Sequence, residues 1–303
     1  MSWQSRVMQT VLSLGKWQVQ HRDIDSVKNM MRLYMNRLAE LEIQPSWVSR
    51  SAEIINGVPC EWVTVHETAD DAGVVIYLHG GGFVAGSPAS HRDLAWRLSR
   101  DSGLRVLLVA YRLAPEFPYP AQIDDATTVY RALLDRGIAP TQIAVAGDSA
   151  GGNLALVTVL VARRLNWPLP AAVIALSPWG DLTHSGESVT TNAKRDHMIP
   201  VALVDQVAVM YAGDQDLLQP ELSPVFADFT GFPPMMLHAA DEEVLRDDTV
   251  RIAASAEAAG VDVVFRIWGR VPHAFPAFAQ FLPEGRMAIK QMGEFLKRQM
   301  GAD

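Results

Sequence analysis

From residue 74 onward, short uninterrupted apolar runs alternate with longer helical stretches, and this alternation leaves few folds open. The runs cover 74–78 (Val-Val-Ile-Tyr-Leu), 105–110, 143–146, 172–176, 235–240 and 261–268. Helical stretches fall near 90–101, 121–136 and 150–165, and the chain closes on another near 285–299. A strand that is apolar throughout must be covered on both faces, unlike one that alternates apolar and polar residues. The pattern predicts an α/β fold: a mostly parallel sheet with helices on both sides. At 303 residues the chain has room for one such unit of ~250 residues and for additions to it.

The additions are visible as breaks in the alternation. The first 45 residues read as helical, with Val27, Met30, Met31, Tyr34, Leu38 and Leu41 spaced to form one apolar face. After Pro45, strands are predicted over 50–55 and 58–65, joined by Asn56-Gly57, a tight-hairpin signal. Between Asp181 and Tyr211 two helix-like pieces occur with no strand. The expected division is a helical cap over 1–45 and an α/β domain over 46–303, with a second cap insertion at about 182–212.

Composition narrows the function. A net charge of -8 with no Lys/Arg run repels phosphate backbones, so no nucleic-acid partner is expected. No apolar run approaches the ~18 residues of a membrane span, and the N-terminus shows no secretion signal. Cys60 is the sole cysteine, which allows no internal disulfide and no cysteine-rich zinc site. It is read as structural, and a cytoplasmic location is expected.

The run 143–146 leads directly into Gly147-Asp148-Ser149-Ala150-Gly151-Gly152, and a buried helix follows. Gly-x-Ser-x-Gly at a strand-to-helix junction is the setting of a nucleophile elbow, where the turn is too sharp for a Cβ at the flanking positions. The helix behind it aims free amides and the positive end of its dipole at the serine. Strand 74–78 ends in His79-Gly80-Gly81-Gly82-Phe83. Three glycines in a row cost entropy, and they make sense where backbone N–H groups must approach a ligand unobstructed. Gly81, Gly82 and Ala150 are the expected donors of an oxyanion hole. His79 is read as structural, and Phe83-Val84-Ala85 does not continue the glycines into a phosphate-binding loop.

A serine hydroxyl needs a base, and eight histidines compete: 21, 66, 79, 91, 184, 197, 238 and 273. In this architecture acid and base follow the serine in that order. His184 and His197 belong to the presumed cap, and His238 lies inside an apolar strand. His273, between the last strand and the last helix, is the expected base. The acid should follow strand 235–240, within Asp241-Glu242-Glu243-Val244-Leu245-Arg246-Asp247-Asp248. Asp247 or Asp248 reads as the N-cap of the next helix, and the other three carboxylates remain open.

Together these segments resemble the hormone-sensitive lipase family, the family IV bacterial esterases. The resemblance is carried by His79 to Phe83, Tyr111-Arg112-Leu113-Ala114-Pro115-Glu116, Gly147 to Gly152 and the His273 loop, with further support from Ser177-Pro178-Trp179 and Asp181-Leu182. It spans about residues 70–280. It implies an eight-stranded α/β-hydrolase core under an N-terminal helical cap, no metal and no cofactor, and a structural role for 111–116. The family's Asp-Pro-Leu-Arg-Asp pattern, laid on Leu245-Arg246-Asp247, puts the acid at Glu243, with Asp241 as the second choice. Val244 stands where the family has proline. The activity implied is a carboxylesterase acting on small esters with short- to medium-chain acyl groups. Lactone, carbamate or amide hydrolysis is the alternative on the same site, and a non-catalytic receptor the more distant one. Met30, Met31, Met35 and Leu38 offer an acyl-pocket wall or plain core. Strand 261–268 is the expected sheet edge, through which relatives often pair, so a homodimer is anticipated.

Overall fold

The computed structural model describes residues 2–19, 22–69 and 71–301, apart from the side chain of Leu38. His21 and the Leu38 side chain, both named above, lie outside the described residues. Eight strands occur among these residues: β1 (Val48–Ile55), β2 (Val58–Val65), β3 (Val74–Leu78), β4 (Arg105–Val109), β5 (Ile143–Asp148), β6 (Ala172–Leu176), β7 (Met235–Ala240) and β8 (Val263–Trp268). They form one sheet in the order β1-β2-β4-β3-β5-β6-β7-β8. β2 runs antiparallel to both neighbours, and β3 to β8 are mutually parallel. The expected eight-stranded, mostly parallel sheet is what the chain forms.

Side chains alternate between the two faces of each strand, so each apolar run fills two cores. Ile76, Leu78, Val145, Val173 and Leu237 face one side, against α4 (Ala121–Asp135), α5 (Ala150–Arg164) and α8 (Arg246–Ala258). Val75, Tyr77, Ala146, Ile174 and Met236 face the other, against α3 (Pro88–Ser102) and α9 (Pro283–Met300). Helix α5 is buried on every side from Ala150 to Ala162, which explains its unbroken apolar sequence. β1 and β8 are the sheet edges, as 261–268 was expected to be, and Cys60 in β2 is buried with its thiol pushed up to about 12 by desolvation.

The strand order reverses at β3, whose two neighbours are β4 on one side and β5 on the other. At such a switch point the loops leaving the two strands diverge to opposite faces and open a crevice at the carboxyl edge. The loop after β3 carries His79 to Phe83, and the turn after β5 carries Ser149. Four further helices pack on loops at this edge: α1 (Trp3–Val19), α2 (Ile24–Glu40), α6 (Ser188–Thr191) and α7 (Val201–Ala212). Arg32 of α2 is the firmest anchor. Its guanidinium donates to Val84 O at 2.7 Å and Ala114 O at 3.1 Å, and pairs with Glu116 at 2.7 Å.

The apolar face of α2 is rotated from its expected position. Val27 is buried and Ile24, Met31 and Met35 pack on the core, whereas Tyr34 and Leu41 are exposed. Burial on this helix follows its contact with the loops beneath it and not the widest run of apolar residues. Ile76 of β3, fully buried at the sheet centre, should tolerate truncation poorly. Ile76→Ala is expected to lower the unfolding free energy by about 2–5 kcal/mol in chemical denaturation.

Candidate active site

Ser149 sits between β5 and α5 with φ +54° and ψ −122°, a conformation that costs a non-glycine residue energy. Packing enforces it. A Cβ on Gly147 would run into the Gly151 carbonyl, and one on Gly151 into the Leu78 and His79 carbonyls. The turn is also tied down on its far side: Ser149 N–H donates to Leu176 O at 2.8 Å, and Trp179 N–H donates to Ser149 O at 3.0 Å. Asp148, Ala150 and Gly151 are buried, but Ser149 keeps partial exposure.

Asp148 joins this turn to the loop after β3. Its Oδ1 accepts from Tyr77 OH at 2.9 Å and Gly80 N–H at 3.2 Å, and lies 3.1 Å from His91 Nε2. Burial pushes this carboxyl up, but His91 and the Tyr77 hydroxyl outweigh it and hold it below the usual aspartate range. His79 stacks on Tyr111 with ring centroids 4.2 Å apart and shares a 2.9 Å hydrogen bond between Nδ1 and Gly80 O. Desolvation and His91 pull its imidazole down to about 3, so it stays neutral and holds the loop. Tyr111 OH donates to His79 O, and Arg112 pairs with Asp125 at 2.8 Å, so 111–116 braces the loop from outside.

Gly81, Gly82 and Phe83 have φ of +123°, +62° and +63°. A Cβ at Gly81 would strike the Ala85 carbonyl, because Gly81 O closes the turn by accepting from Val84 and Ala85 N–H at 3.1 and 2.9 Å. Among the described residues, the N–H groups of Gly81, Gly82 and Ala150 have no protein acceptor. Val207 of α7 and Met31 of α2 face Gly82, at 3.3 and 3.9 Å from the place its Cβ would take.

His273 and Glu243, 30 residues apart, meet with Nδ1 2.6 Å from Oε2, and both are buried. A carboxylate only accepts, so Nδ1 carries the proton and Nε2 keeps its lone pair. The other oxygen of Glu243 accepts from Ala240 N–H at 2.8 Å. Burial pulls His273 down, but the hydrogen bond and charge of Glu243, aided by Asp196 and Asp148, hold it above the ordinary histidine value. Ser177 bridges this loop to the serine turn. It follows Leu176, which holds Ser149, and its Oγ accepts from Ala274 N–H at 3.3 Å.

The other carboxylates of this stretch point elsewhere. Asp241 faces Arg195 at 3.4 Å and Arg246 at 3.8 Å near the surface, and Glu242 faces Arg195 at 3.3 Å. Asp247 and Asp248 do not cap α8, as the sequence suggested. Leu245 holds that place, and the aspartates accept from other segments: Asp247 from Ser188 N–H at 2.8 Å, Asp248 from Gly180 and Asp181 N–H at 3.0 Å. His184 pairs with Asp205 at 2.7 Å and His197 with Ser13 at 2.7 Å. His238 is buried and, among the described residues, has no hydrogen-bond partner on either ring nitrogen; desolvation pulls it down to about 4.

Sequence reasoning missed the residues that hold the Glu243 loop. Asn192 Nδ2 donates to Asp241 O and Glu243 O, both at 3.0 Å. Asp196 Oδ2 accepts from Val244 N–H at 2.9 Å, and Ser188 Oγ donates to Val244 O at 2.6 Å. All three come from the 182–212 segment, about 50 residues upstream, and no local pattern marks them. Among the described residues, no group of three or more His, Cys, Asp or Glu could hold a metal, and no helix is long and apolar enough to cross a membrane.

The sheet order and the strained turn after β5 define an α/β-hydrolase fold. A family model described by that fold matches residues 75–277. An acetyl-hydrolase of Streptomyces hygroscopicus is 36% identical over 92% of this chain and 97% of its own length. An esterase of Acinetobacter venetianus is 34% identical over 88% of both chains. The crystal structure of an esterase from the bacterial hormone-sensitive lipase family superimposes with a TM-score of 0.92 at 38% identity, over 99% of both chains. The chain belongs to the hormone-sensitive lipase family of α/β hydrolases.

Because Gly151 lies against two β3-edge carbonyls, Gly151→Ala should force the turn apart. A loss of about 3 kcal/mol or more is expected in denaturant unfolding, together with activity. Unchanged stability would mean that the turn is not held as described.

Proposed function

We propose that the chain is a carboxylesterase that works through Ser149, His273 and Glu243. The observation that carries this reading is the buried imidazole–carboxylate pair at 2.6 Å, joined through Ser177 to the turn that presents a strained, partly accessible serine. The names of the relatives, esterase and acetyl-hydrolase, agree with it.

Each group has one task. His273 Nε2 takes the proton of Ser149 Oγ as the oxygen attacks the ester carbonyl, and Glu243 stabilises the imidazolium and fixes the tautomer. The N–H groups of Gly81, Gly82 and Ala150 receive the oxyanion, each donor being worth roughly 2.7–4 kcal/mol of barrier. His273 then protonates the departing alcohol. A water repeats the sequence on the acyl-serine and releases the acid. Asp241, whose carboxylate is engaged by arginines, has no part in it.

The N-terminal helices and the 182–212 segment act as a cap. Met31 and Val207, which face Gly82 from its two halves, form the wall nearest the oxyanion hole. Such a wall so close to the reacting carbonyl favours short- to medium-chain acyl groups. Across a ladder of acyl chain lengths the specificity constant should peak in that range, and a clear preference for long emulsified esters would overturn this assignment.

A serine-directed phosphonate is expected to add mass at Ser149 alone, and Ser149→Ala to lower kcat by about 10⁶. Labelling elsewhere would refute the assignment. Glu243→Gln should cost about 10⁴ in kcat. It should also move the acid limb of kcat/KM. His273 works only when neutral, so activity falls as the pH drops through its raised pKa. Without the Glu243 charge, burial pulls that pKa down, and the limb should shift to lower pH. An upward shift would sink the role given to Glu243.

A further inference from the structure

Helix α1 is amphipathic with its sides reversed. A helix packed on a globular body normally turns its apolar stripe inward. Here Trp3, Val7, Val11, Leu14 and Trp17 line the outward face, 70%, 53%, 58%, 62% and 66% exposed. The inward face is held largely by polar contacts. Ser5 Oγ donates to Arg270 O at 2.8 Å, Ser13 Oγ lies 2.7 Å from His197 Nδ1, and Lys16 Nζ donates to Ala193 O and Asp196 O at 3.0 and 2.7 Å. Ser5 is the one buried residue of the helix. The outward stripe runs about 21 Å between its two tryptophans, and Tyr34 of α2, bonded to Gln18 at 3.2 Å, extends it. An apolar patch this continuous marks a surface that something covers.

We propose that this face docks on an uncharged, zwitterionic lipid surface. A second copy of the chain fits less well. The five side chains offer roughly 600 Å², below the ~800 Å² per partner of a stable protein interface, and pairing would bring together two bodies of net charge -8. A lipid surface sets no minimum area. A helix lying in the headgroup region with tryptophans at both ends is a common interfacial arrangement. Helix α1 has no carboxylate, and its outward face carries the single cation Arg6. The acidic body disfavours an anionic surface. The same helix leans on Arg270 of the His273 loop and on the segment that holds Glu243, so docking would bring the site to the layer where apolar esters accumulate. That consequence rests on the esterase reading; the docking itself does not.

The test is flotation of the full-length protein with phosphatidylcholine vesicles, using wild type, Ser149→Ala and the triple variant Val7→Gln, Val11→Gln, Leu14→Gln. Glutamine keeps the helix, and hydrolysis of a soluble short-chain ester should be unchanged in the triple variant. Wild type and Ser149→Ala should float equally, the triple variant should bind at least about tenfold more weakly, and adding an anionic lipid should not strengthen binding. Three outcomes would overturn the proposal: no flotation of wild type, equal flotation of the triple variant, or a wild-type dimer in light scattering that the triple variant abolishes, which would make a second copy the occupant. If Ser149→Ala floats but wild type hydrolyses no ester, the docking stands and the esterase reading alone fails.

Discussion

The turn after β5 presses Gly147 and Gly151 against backbone carbonyls, Gly151 against those of Leu78 and His79 at the end of β3. Two consequences follow from this one approach. The serine between the glycines is pushed into a strained, positive-φ conformation that lifts it out of the core. The loop leaving β3 is brought beside the first turn of α5. Asp148 then locks the pair, bonding back to Tyr77 and Gly80 across the same gap. Strain at Ser149 and the glycine cost in the loop are met by the packing of two central strands.

The second half of the site is built differently. His273 and Glu243 are both taken out of water, which is costly unless each is fully bonded. Glu243 achieves this with two partners, the imidazole and Ala240 N–H. Its backbone is held from outside by Ser188, Asn192 and Asp196. The segment between β6 and β7 is therefore more than a cover, since it fixes the direction in which one of five neighbouring carboxylates points. Coupling of this kind makes the 182–212 segment and the Glu243 loop one mechanical unit.

That coupling explains what was legible in the sequence. The sheet, the turn at Ser149 and the glycine loop are local features, and their apolar runs and glycines announce them. The choice among Asp241, Glu242 and Glu243 is not local: adjacent side chains leave a loop in different directions, and the contacts that select one come from 50 residues upstream. The residue pattern left the three open, and only the likeness to a family favoured Glu243. Asp247 and Asp248 misled as caps for the same reason, because their acceptors serve Ser188, Gly180 and Asp181 in other segments. On α2, apolar spacing announced the helix but not the direction of its face. A helix that rests on polar loop edges has no reason to bury its most apolar side.

The histidines show how one chemical group takes different parts in one fold. His79, His238 and His273 are all buried at the carboxyl edge of the sheet or in its strands. Burial drives an imidazole toward neutrality; aided by the Arg266 charge it brings His238 to about 4, and aided by His91 it brings His79 to about 3. Such a ring is too weakly basic to take a proton from a hydroxyl at neutral pH. His273 suffers the same desolvation but has a carboxylate on Nδ1, which reverses the sign. The partner, and not the position in the sheet, separates the basic imidazole from the structural ones. That partner is in turn bonded to Ala240 N–H and its backbone is held by Asn192, so the basicity of His273 depends on groups beyond the pair itself.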